Sequence, residues 1–209
     1  VSAETDAFNV AFRIPNLLRR MFAEGAFQQA FVPMLADVRS RDEAGTGVFV
    51  GRMASALFWV LLSVSTLGVI AAPVLVWLIA SGLARNPDAF ELATAMTRWM
   101  FPYILFMSLV ALAAGVLNTY RRFAIPAATP VLLNVSFIAC ALWVAPHLER
   151  PIMALAFAVV IGGALQLGMQ LLALRALRIG VHWSSPLAAF RDPDVRRVGG
   201  LMLPAVFAV

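Results

Sequence analysis

Apolar runs of membrane length alternate with short polar stretches along most of the chain. The pattern predicts a first segment over 6–37, a polar loop over 38–47, and then a run over 53–80 without a charged side chain. As a helix that run is about 42 Å long against a hydrocarbon core of about 30 Å, so it is expected to tilt or to bend at Pro73. Further helices are predicted over 91–118, 128–145 and 151–174, and the start of another over 193–209. Asn86 before Pro87 reads as a cap followed by a first-turn proline, and Asp88 with Glu91 has capping-box spacing. Asp192-Pro193-Asp194 reads as a second helix start, with an acid at the positive end of the dipole. Arg98 beside Trp99 and Tyr103 suits a side chain that snorkels at an aromatic belt. The chain starts without Met and stops inside an apolar segment, which reads as a fragment of a longer protein.

The first segment is the unusual one. Residues 8–35 are apolar enough to enter a bilayer, yet they carry Arg13, Arg19, Arg20 and Glu24. Charges at membrane depth are costly and normally face a protein interior or a watery cavity. On a straight helix Asp6, Asn9, Arg13, Asn16, Arg20 and Glu24 fall within an arc of about 80°, with Gln28 just beside it and Arg19 off it. Pro15 removes a backbone hydrogen bond and is expected to kink or unwind the segment, which would bring Arg19 round. The bland alternatives are a surface helix on anionic lipid, a solvated helix end, and an ion-pair network such as Arg20 with Glu24.

Composition agrees with a membrane protein. The chain is 62% hydrophobic and 13% charged, against about 25% charged for soluble domains. A pI near 10.9 raises nucleic acid as a partner, but the arginines form no run and a membrane explains them better. Arg39, Arg41, Arg52, Arg121, Arg122, Arg175, Arg178, Arg191, Arg196 and Arg197 fall on one side of the predicted topology. Only Arg85 and Arg150 fall on the other, so the first side is assigned to the cytoplasm and residue 1 begins outside. The single Cys140 excludes an intramolecular disulfide.

Reactive chemistry is scarce. His147 and His182 sit singly in loops without partners at metal-ligand spacing, and helix capping explains Asp192 and Asp194 more cheaply than a metal does. No phosphate-binding glycine loop or nucleophile motif is present, and nothing calls for a cofactor. Gly47 and Gly51, Gln166 and Gln170 with Gly162 and Gly163, and the amides Asn118 and Asn134 read as helix-packing features. What remains is an all-α bundle with buried cations and no reactive group. Arginine matches phosphate oxygens with a planar fork, and helices with Pro15, Pro73, Pro102 and Pro130 suit a protein that rocks between two states. The physics points to a transporter of an anionic amphiphile.

The stretch FRIPNLLRRMFAEGAF over 12–27, with Asp6-Ala-Phe before it and Gln29-Ala-Phe-Val-Pro after it, resembles the second transmembrane helix of the MurJ/MviN lipid II flippases. LNTYRRFAIPA over 117–127, followed by Pro130 and Leu133-Asn134, is similar to the turn between the fourth and fifth helices of that family. The resemblance extends along the whole chain. It implies a polytopic MATE-like lobe of the MOP superfamily, most of the first of two lobes, with the first helix and the second lobe absent. It further implies a central cationic cavity for the pyrophosphate and headgroup of lipid II, alternating access across the bacterial inner membrane, and a role in peptidoglycan synthesis. Arg19 falls where the family places a cavity arginine, Asp6 and Glu24 match acidic positions nearby, and Arg13 matches a basic one. Family and straight-helix periodicity therefore favour Arg19 and Arg20 respectively.

Other classes predict other features. An exporter of drugs or of another polyprenyl-linked saccharide would share the fold but lack the Arg-Arg-Met-Phe-Ala-Glu-Gly signature. An enzyme acting on polyprenyl phosphates would need clustered acids or histidines near a metal, and a structural partner of the cell-wall machinery would need no buried arginines.

Overall fold

The structure is a computed structural model that describes residues 3–19, 27–82, 86–179 and 181–207. The described residues are helical with short connections, in the order α1 (Ala3–Arg19), α2 (Phe27–Arg41), α3 (Thr46–Ile79), α4 (Pro87–Met100), α5 (Tyr103–Thr119), α6 (Ala124–Ala139), α7 (Met153–Ala176), α8 (Pro186–Arg191) and α9 (Pro193–Phe207). Among the described residues, four spans are long and apolar enough to cross a membrane: Thr46–Ile79, Pro87–Thr119, Ala124–His147 and Met153–Ala176. Leu67, Ile70, Val74 and Leu78 stand exposed along one side of α3. Such a stripe suits lipid, where helices keep every backbone polar group bonded internally.

Several boundaries differ from those the pattern predicts. Helix α3 starts at Thr46, so Arg52 lies inside it rather than in a loop. The run over 91–118 is broken at Phe101-Pro102, where α4 ends and α5 begins. Proline has no N–H to continue the ladder. Pro15, Pro73 and Pro130 lie inside α1, α3 and α6, each continuous through its proline. Helix α6 begins at Ala124, and a π-helical turn over Cys140–Val144 and a short tight turn over Ala145–His147 follow it. Asn86 caps α4 by accepting from the Ala89 N–H at 3.3 Å, so Asn86 fills the cap position and Asp88 the first turn.

The chain divides into two compact units, and the long helices contribute residues to both. In the first (1–18, 62–106 and 130–166), Ala7 and Ala11 of α1 are buried along with Met96, Met100, Tyr103 and Ile104. Phe12 lies 6.4 Å from the Tyr103 ring, and Ser136 Oγ donates to the Ala158 carbonyl at 2.7 Å. A Cβ on Gly68 would strike the Phe101 ring, and one on Gly162 would press on Leu133. Small residues here let neighbouring helices approach closely.

In the second unit (19–61, 107–129 and 167–209), α2 packs against α9. Its aromatic spine runs Phe27, Phe31, Phe49, with centroids 5.0 and 6.0 Å apart. Gln170 Nε2 donates to Thr129 Oγ1 at 3.0 Å, a buried bond between α7 and α6. Asn118 and Asn134 were expected to bond neighbouring helices. Their side chains instead stand exposed and make no hydrogen bond among the described residues. Helix α5 ends in a Schellman turn, Arg122 N–H to the Leu117 carbonyl at 2.8 Å, with Arg121 at φ 58° in the place glycine usually takes. Arg39 covers this end: Nη1 donates to the Thr119 carbonyl at 3.1 Å, and the guanidinium lies 4.1 Å from the Tyr120 ring centroid.

Candidate substrate cavity

Helix α1 is amphipathic, with apolar positions four apart on the side it buries. Ala7, Ala11 and Pro15 are buried, while Asp6, Asn9 and Arg13 are exposed and Asn16 is half-buried. The polar stripe therefore faces away from the core of the first unit. Phe8 and Phe12 stack at 5.7 Å and fix a flank of the helix next to that stripe.

Arg13 and Leu17, one turn apart, open onto a groove of about 660 Å³. Its other wall is Val64, Leu67, Gly68, Ala71, Leu75 and Ile79 of α3, and Phe101 also lines it. Gly68 is what lets the Phe101 ring lie against α3. Arg13 makes no ion pair among the described residues. A cation with five donors beside an otherwise apolar surface is an anion-recognising arrangement.

Of the residues singled out from the sequence, Asp6 and Arg13 share the exposed side of α1, and Asn16 lies at its edge. Arg19 closes α1, its side chain falling outside the described residues, as do Arg20 and Glu24 altogether. The helix is continuous through Pro15, so the segment does not unwind there, and the side-chain direction of Arg19 lies outside the described residues. Gln28, expected beside the stripe, instead donates from Nε2 to the Ala111 carbonyl of α5 at 2.6 Å.

The second unit holds a feature that local pattern did not reveal. Arg52 Nη1 donates to Asp192 Oδ2 at 2.5 Å across 140 residues of sequence, and the Asp192 side chain is only 8% exposed. Asp192 Oδ1 accepts from the N–H groups of Asp194 and Val195 at 2.9 and 3.1 Å, capping α9 as the Asp-Pro-Asp signal predicts. Asp194 lies 3.8 Å from Arg41, which bonds Asp37 at 2.8 Å. These acids are occupied by arginines and backbone donors.

The family model described as lipid II flippase MurJ matches residues 1–209. A lipid II flippase MurJ from Burkholderia cenocepacia is 52% identical over the whole chain, which spans 41% of that relative's length. Probable lipid II flippases MurJ from Haemophilus influenzae and Vibrio cholerae are 39% and 40% identical over 99% of the chain, which spans 42% and 40% of their lengths. A solved structure titled lipid II flippase MurJ, inward closed conformation, superposes with a TM-score of 0.77 at 23% identity, covering 99% of this chain and 41% of that one. That likeness shows a shared fold. With membrane-length helices and family-wide similarity from end to end, the chain belongs to the MurJ lipid II flippase family.

Proposed function

We propose that the protein to which this chain belongs carries lipid II from the cytoplasmic to the periplasmic leaflet of the bacterial inner membrane by alternating access. In this reading it is a transporter and not an enzyme, and it needs no cofactor. The carrying observation is Arg13, exposed on the polar side of α1 and facing an apolar groove in a chain 52% identical to a named lipid II flippase. Lipid II joins a polyprenyl tail to a pyrophosphate-linked sugar peptide, so its site must offer cations next to apolar walls. Arg13 offers both. Arg19 and Arg20 extend the cationic set toward the end of α1, and Asn16 supplies an amide to the sugars. Asp6 and Glu24 belong to the same set as the acidic positions that the family resemblance puts near the cavity arginine. The remaining chain of the longer protein completes the cavity.

The test is lipid II exposure at the outer face of cells depleted of their own flippase. The full-length protein should restore exposure, while Arg19→Ala and Arg20→Ala, at equal membrane level, report which of the two faces the cargo. If the full-length protein restores nothing, the lipid II assignment fails and an exporter of another polyprenyl-linked saccharide becomes the leading reading.

A further inference from the structure

The segment between α7 and α9 is fastened to one side of α3. Gly51, Arg52, Ser55 and Phe58 recur at helical spacing and share that side. A Cβ at Gly51 would strike the His182 carbonyl, so the backbone of the segment lies directly on the helix there. Ser55 Oγ accepts from the Ser184 N–H at 3.1 Å, and Phe58 meets Trp183 edge to face at 5.2 Å. Arg52 completes the set through Asp192.

Asp192 has two roles on one carboxylate. One oxygen caps the first turn of α9, while the other takes the guanidinium of α3. Its near-complete burial means that losing Arg52 leaves a desolvated charge held only by backbone donors. The start of α9 is thereby set in the frame of α3.

We propose that Arg52 and Asp192 form a latch that holds residues 182–192 on α3, and that transport requires it. The second clause rests on the flippase reading; the first does not. Arg52 acts here as a positioning residue. In a transporter that moves by rocking whole helices, a helix whose first turn is unpinned transmits the movement poorly.

The test uses the full-length protein in nanodiscs and follows amide hydrogen exchange in the peptide spanning 182–195. Arg52→Ala should speed exchange there by about tenfold, with a control peptide from α5 unchanged. Asp192→Asn keeps an oxygen for the cap but loses the charge, and should speed exchange less. Arg52→Lys should recover part of the protection. In flippase-depleted cells Arg52→Ala should lower lipid II exposure by about fivefold at equal membrane level, with Arg52→Lys again recovering part of it. Unchanged exchange in Arg52→Ala overturns the latch. Faster exchange with full lipid II exposure makes it a structural tie only and overturns its role in transport. If even the parent restores no exposure, the flippase reading fails while the exchange result still decides the latch.

Discussion

Arg13 lies on the exposed polar side of the amphipathic α1 and Arg52 in the second turn of the apolar α3, and their surroundings differ. Arg13 looks onto an apolar groove and makes no ion pair among the described residues. Arg52 is spent on Asp192. A guanidinium paired to a buried carboxylate is held in place by it, whereas one without an ion pair beside an apolar surface is placed to meet an anion. Charge in a helix therefore does not by itself mark a site; its partner decides whether it builds or binds.

The largest effect expected from this contrast lies at Arg13. Arg13→Ala should lower lipid II exposure at least about tenfold while changing thermal stability by no more than about 0.5 kcal/mol, the usual limit for an exposed position. A matching loss of stability would put Arg13 in the same class as Arg52. Gly51→Ala should cost about 1–3 kcal/mol by overpacking, because the obstacle is the His182 backbone and not a mobile side-chain tip. Gly168 in α7 has open space where its Cβ would go, and Gly168→Ala should stabilise by about 0.5–1 kcal/mol. Thermal unfolding in one detergent checks both. Asp192→Ala should cost about 1–2 kcal/mol from the cap alone, more than Asp192→Asn. A further small change is Arg121→Gly. It should stabilise by about 1 kcal/mol, since it relieves a left-handed residue at φ 58° in the Schellman turn.

What could be read from the sequence was local. Long uncharged runs located the membrane-length helices, and the polar spacing of α1 put Asp6, Asn9 and Arg13 on one exposed side. Asp192-Pro193-Asp194 gave the start of α9 because a cap is a short-range signal. Arg52 was read as a loop charge because its partner lies 140 residues away, beyond any periodicity. Gln28 reads as lying beside the stripe for the same reason, its acceptor being a backbone carbonyl on another helix. The break at Phe101-Pro102 falls between the amphipathic α4 and the uncharged α5, and the missing proline N–H marks it.

Two exposed arginines with different surroundings give the most direct test of whether Arg13 meets the cargo. In flippase-depleted cells, lipid II exposure would be measured for the full-length protein carrying Arg13→Ala or Arg98→Ala, at matched membrane levels. Arg98 is exposed on α4 beside Trp99, which itself packs on Phe157 at 5.0 Å, and it does not line the Arg13 groove. Arg13→Ala should lose exposure and Arg98→Ala should keep it near the parental level. Equal activity of the two variants would contradict this and move Arg13 from the cavity to the lipid interface.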